Sequence, residues 1–163
     1  MSKTSSFDLN SASDAQTAVI RHIGIGYSSS GKTRDYLKRK GFSDSSVNEA
    51  VKALIKRGYI DDERAGRKVL LVRSGKKQES RMMLRQRLFA AGVSSDIADK
   101  LITEVEEDSV LCFNLLLSVR PEADSMEEAQ DLEKELIKTA YKRGFSAETA
   151  RSAYGKWLES VLD

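Results

Sequence analysis

A single cysteine, Cys112, closes off any disulfide within the chain and leaves the redox compartment free to be reducing. A single histidine, His22, beside that one thiol cannot build a zinc site. No D-x-[DN]-x-[DN]-G run gathers carboxylates for calcium. No apolar stretch reaches the roughly 18 residues a membrane-spanning helix needs. Residues 1–13 are polar and Ser-rich with no apolar h-region, which excludes a secretory signal and predicts a disordered tail. One proline, Pro121, stands where average usage of about 5% would place roughly eight. That scarcity argues against a many-turned β-sandwich and permits long helices. Together these absences predict a soluble, cytoplasmic protein with no metal and no cofactor.

What is present is charge and helical periodicity. Charged residues make up 32% of the 163 positions and the apolar set 40%, enough for a packed core. The net charge of +2 hides an asymmetry: residues 21–87 hold 18 Lys/Arg against 7 Asp/Glu, and residues 96–135 hold 13 acidic residues against 3 basic ones. A positive block of this kind attracts polyanions or acidic protein surfaces.

One short pattern occurs three times, at Gly41-Phe42-Ser43, Gly92-Val93-Ser94 and Gly144-Phe145-Ser146, with glycines 51 and 52 residues apart. In each, glycine supplies the left-handed position that ends a helix, and serine caps the next one. Apolar residues repeat at matching offsets, such as Val47/Val51/Leu54, Ala98/Ile102/Val105 and Ala150/Tyr154/Trp157. These offsets lay one apolar stripe along one helical face. Linking helices are predicted over about 61–73 and 108–119, and a first one from Ser13 or Asp14 to about Ile25. The spacing predicts an all-α fold of about nine helices. They form three tandem three-helix repeats (residues 14–60, 61–106 and 107–163) in an elongated, curved array.

Gly26 to Thr33 satisfies G-x-x-x-x-G-K-[ST], the phosphate-cradling P-loop formula. That loop must join a strand to a helix inside a parallel sheet. No further strands follow here, and no apolar run ends in a magnesium-binding aspartate. The segment reads instead as a turn, with Ser30 capping a helix and Lys32 and Arg34 on its surface. Catalysis has no other foothold: His22 has no partnered nucleophile, and Cys112 lies in an apolar helix that predicts a core position. No catalytic residue is assigned.

The basic block is the informative part. Arg57, Arg64, Arg67, Lys68, Arg73, Lys76, Lys77, Arg81, Arg85 and Arg87 crowd one stretch, with Arg64, Arg67 and Lys68 at i, i+3 and i+4 on one helical face. Val69, Val72, Leu84 and Leu88 are expected to supply the buried sides. Arginine favours carboxylate or phosphate partners. Only Tyr59 and Phe89 are interleaved there, which argues against base stacking.

Arg57-Gly-Tyr-Ile-Asp-Asp-Glu-Arg64 resembles the "GYIDDERFA" signature of the RecX family of RecA regulators. Leu84-Arg-Gln-Arg-Leu-Phe-Ala-Ala-Gly-Val-Ser94 is similar to that family's second repeat. Ile23–Tyr27, Ser30 and Arg34–Phe42 resemble its first, and Tyr141–Ser146 its third. The resemblance covers about residues 14–162. Ala65-Gly66 depart from it, standing where the family has a Phe-Ala pair. It implies an all-helical, monomeric, non-enzymatic repeat protein. Such a protein binds RecA or the RecA–single-stranded DNA filament and modulates, chiefly by inhibiting, its ATPase, growth and strand exchange. The ten basic residues would be its partner-binding set, with weak DNA contact. The alternative is a helix-turn-helix DNA-binding protein acting without RecA, since such a unit also uses a tight glycine turn.

Overall fold

The computed structural model describes residues 6–162. Among them are ten α-helices: α1 (Ala12–Ile23), α2 (Ser30–Arg39), α3 (Asp44–Lys56), α4 (Asp62–Val72), α5 (Arg81–Ala90), α6 (Ser95–Glu104), α7 (Asp108–Val119), α8 (Met126–Asp131), α9 (Glu133–Lys142) and α10 (Ala147–Ser160). A 3-10 turn covers Gly75–Lys77. No strand occurs among the described residues; Ser28 and Ile60 form an isolated bridge. The fold is all-α, as the periodicity predicts.

Serines cap several of the helices. The side chains of Ser11, Ser43, Ser125 and Ser146 each accept a bond from the backbone N–H three residues on. Each such cap contributes about 1 kcal/mol. The cap of α2 is Ser29, whose hydroxyl accepts from the Lys32 N–H, one residue earlier than the expected Ser30. The helix α8 has no counterpart in the expected nine. It is six residues long and buries Ala129 alone, too little for a period to show.

The expected disordered tail over residues 1–13 is corrected for its described part. Residues 1–5 lie outside the described residues, but Phe7 packs on Phe42, with ring centroids 6.0 Å apart, and Ser11 already caps α1. An apolar ring that can reach the core outweighs the polar composition around it.

The chain divides into two compact units, one of residues 1–66 with 89–98, the other of residues 67–88 with 99–163. Residues 61–106 are divided between the two units. In the first unit α1 and α2 pack on α3. Ala15, Val19, Leu37, Val47, Ala50, Val51 and Leu54 make its core, each at most 1% exposed. In the second, α7 and α9 pack on α10 around a fully buried Trp157. The Trp157 indole N–H donates to the Arg120 carbonyl at 2.7 Å, and the Tyr154 hydroxyl donates to the Ala129 carbonyl at 3.1 Å. Full burial of each leucine or valine stabilises by roughly 1.5–3 kcal/mol.

Each unit contains a similar joint, in which a helix start is held against one of the glycine turns. In the first, Asp62 opens α4 and its carboxylate accepts from the Ser30 N–H at 2.6 Å, the Ser30 hydroxyl at 2.5 Å and the Ser94 N–H at 3.0 Å. The start of α2 is held against the Ala91–Gly92 turn: Ser29 Oγ donates to the Ala91 carbonyl at 2.7 Å, and the Gly31 N–H to the Gly92 carbonyl at 2.8 Å. In the second, Asp108 opens α7 and accepts from the Arg81 N–H at 2.9 Å. The Ser80 N–H donates to the Arg143 carbonyl at 2.9 Å, beside Gly144. Gly92 is required twice over. Its φ is +81°, and a Cβ there would lie 2.7 Å from the Lys32 nitrogen and closer still to Ser29 Oγ.

This joint also explains the P-loop formula. Gly31 serves close approach to Gly92. The N-terminus of α2, where a phosphate would bind, is occupied by the carboxylate of Asp62.

Candidate functional site

The ten basic residues singled out by the sequence do not share one environment. In the first unit, Arg57 donates to Gln16 Oε1 at 3.1 Å and stands 5.2 Å from the Tyr59 ring centroid. Arg64 covers the Tyr27 ring at 4.3 Å.

In the second unit most guanidinium groups are already engaged. Glu79 is 1% exposed, and both Arg73 (3.1 Å) and Arg87 (3.2 Å) reach its carboxylate. A buried carboxylate needs such partners, so these two arginines hold the joint between the 3-10 turn and α5. Arg81 Nε donates to the Glu106 carbonyl at 3.0 Å, and its guanidinium also meets the Val105 carbonyl. It thereby satisfies acceptors in the α6–α7 connection. Arg85 pairs with Asp99, and Arg67 with Glu104 at 3.1 Å. Part of the acidic block seen in the sequence thus neutralises part of the basic one within this unit.

The ammonium groups of Lys68, Lys76 and Lys77 make no ion pair or hydrogen bond among the described residues, and all three side chains are exposed. Lys76 and Lys77 stand on the 3-10 turn, tied down by Arg143, which donates to the Lys76 carbonyl at 3.0 Å. Beside Lys68 on the same helix, Leu71 is 76% and Val72 54% exposed. The expectation that Val72 is buried is therefore corrected. Leu70 packs on the core instead, and the last turn of α4 presents Leu71 and Val72 outward. Leu84 and Leu88 are buried as expected.

The remaining chemistry-bearing residues are quiet. Cys112 is fully buried; burial, and to a lesser degree the charge of Asp108, push its thiol up to about 12. It stays a protonated core residue. No group of three His, Cys, Asp or Glu side chains suited to a metal ion occurs among the described residues. No described helix is long and apolar enough to cross a membrane.

Two arrangements escape the sequence pattern. One is Glu79, isolated in a basic run and without periodic context. The other is a cavity of about 300 Å³ in the first unit, lined by His22, Lys32, Thr33, Asp35, Tyr36 and Arg39 among others. Its two rings lie on successive helices, at a separation no motif records.

No family model matches the sequence. The chain is 29% identical over 153 residues to the regulatory protein RecX of Prosthecochloris aestuarii, across 91% of this chain and 98% of that protein. It is 28% identical over 145 residues to the regulatory protein RecX of Pelodictyon phaeoclathratiforme, across 88% and 89% of the two chains. The crystal structure of RecX from Lactobacillus salivarius matches with a TM-score of 0.65 over 90% of this chain and 96% of that one, at 14% identity. In sequence along about nine-tenths of its length, and in fold, the chain resembles the RecX family.

Proposed function

We propose that this chain regulates the RecA recombinase by binding RecA or the RecA–single-stranded DNA filament, restraining its ATPase, growth and strand exchange. The observation that carries the reading is the end-to-end match to proteins named regulatory protein RecX, covering 98% of one of them. The fold match at a TM-score of 0.65 supports it. So does the side-chain chemistry: the one thiol is buried and protonated, and the exposed cations suit an acidic surface or a phosphate backbone. A protein of this kind acts by occupying its partner, without turning over a substrate. Cytoplasmic location, a monomeric state and the division into repeats at 14–60, 61–106 and 107–163 belong to the same reading.

Within the basic set, Lys68, Lys76 and Lys77 are the first contacts to test, because their charges are uncommitted. The arginines that hold Glu79 present their outer edges at 30% and 43% exposure and can add to the contact without leaving it. The direct test is RecA ATPase on single-stranded DNA with this protein titrated in. A dose-dependent fall is expected; an unchanged rate at excess protein removes the reading. Tight, sequence-selective duplex binding without RecA would favour the helix-turn-helix alternative instead.

A further inference from the structure

The cavity between α1 and α2 is not absorbed by that reading, and its chemistry is specific. His22 and Tyr36 stack in its wall with ring centroids 4.1 Å apart and planes 13° from parallel. Lys32 and Arg39 line the same cavity, and Asp35 is its one acidic lining residue. Lys40 stands 5.7 Å from the Tyr36 centroid. Residues 21–40 hold six Lys/Arg against that single aspartate. Tyr36 is half-buried, whereas His22 is exposed.

A ring stack open to solvent, with two cations on the same wall, is the pairing that nucleotide units require. The π-face takes a base and the cations take the phosphate. A volume of about 300 Å³ lies at the small end of ligand pockets and suits one nucleotide. We propose that this cavity binds a nucleotide, with its base stacked on His22 and its phosphate held by Lys32 and Arg39. The site differs from a P-loop. Side chains, not loop amides, meet the phosphate, and the α2 N-terminus stays with Asp62. The inference does not depend on the RecA reading. The same chemistry is offered by a nucleotide within a single strand and by a free one, so the test separates the two.

Fluorescence anisotropy of a labelled 15-residue oligo(dT) is measured with the full-length protein in EDTA. Competition by AMP follows, and far-UV circular dichroism confirms folding of each variant. The double variant K32Q/R39Q is expected to weaken binding at least 10-fold. It should also flatten the salt dependence by about 0.7 in log–log slope, as for one lost single-strand phosphate contact. H22A is expected to weaken binding about 5-fold or more, and H22F to retain it, because the ring and not the charge does the stacking. An abasic oligomer should lose the sensitivity to H22A. AMP competition weakened by the same substitutions identifies free nucleotide as a ligand. Failure of millimolar AMP to compete, with the variant effects intact, identifies the strand. The proposal is overturned if neither probe binds. It is also overturned if folded K32Q/R39Q and H22A bind as the parent does, or if K68Q/K76Q/K77Q abolishes binding while those two leave it unchanged.

Discussion

The ion triad of Arg73, Glu79 and Arg87 separates a structural role from a partner-binding one. Glu79 is essentially inaccessible, and its carboxylate meets guanidinium nitrogens at 3.1 and 3.2 Å. Replacing either arginine by alanine removes one hydrogen-bonded charge and leaves the other, a loss of about 1.5–3 kcal/mol for a bond to a charged group. Removing both strands a buried carboxylate, and breaking a buried pair in this way costs about 3–5 kcal/mol. At roughly 2–4 °C per kcal/mol for a chain of this size, R73A/R87A should lower Tm by about 6–20 °C. K76A/K77A, on exposed side chains of the same segment, should stay within about 0.5 kcal/mol of the parent. The triple variant R73A/R87A/E79L should recover most of the loss, because removing both ends of a buried pair leaves nothing unpaired. Thermal unfolding followed by circular dichroism measures all four proteins. If R73A/R87A melts with K76A/K77A, the carboxylate is not held as described and both arginines return to the partner-facing set.

Further outcomes follow from other parts of the fold. G58A, at φ +80° with open space around the new methyl, should cost about 1–2 kcal/mol in denaturant unfolding, the left-handed penalty alone. G92A, at nearly the same φ, should cost at least about 1 kcal/mol more, because the methyl displaces Ser29 from its cap; equal losses would refute the close approach. Cys112 should resist a chromogenic disulfide reagent at pH 8 until the chain is unfolded, when one thiol per chain should react. Its thiol titrates higher folded than its ordinary value of 9.0, so the folded state binds the proton more tightly. That contribution to stability is full below pH 9 and is lost as pH rises toward about 12, which pH-dependent unfolding of C112A against the parent checks. K68E/K76E/K77E should weaken inhibition of RecA ATPase at least several-fold while leaving Tm near that of the parent. Full inhibition by the folded variant would move the contact elsewhere.

Local physics made much of the fold legible. The glycine–apolar–serine turns mark where helices end and begin, because a left-handed residue and a capping hydroxyl are short-range requirements. The α7 limits, Asp108 to Val119, follow from an acidic start and Pro121 just beyond. Phe7 and α8 were not legible: one is a single ring reaching the core, the other a helix with a single buried residue. For the site, the sequence placed ten cations in one stretch but not their partners. Which of them are spent internally depends on Glu79, Asp99 and Glu104, of which Asp99 and Glu104 come from helix α6, and on the Val105 and Glu106 carbonyls beyond it.

Helix, turn and cap are decided within a few residues, and chain order alone specified them here: all-α, three glycine turns, serine caps, and one cysteine with no second to pair with. Pairing across tens of residues is decided by packing. Only the folded chain could put Asp62 on the start of α2, bury Glu79 between two arginines, lay His22 on Tyr36 and leave three lysines uncommitted. A carboxylate or ammonium reads the same in sequence whether it ends up in water or against an opposite charge, and that difference is what sets its role.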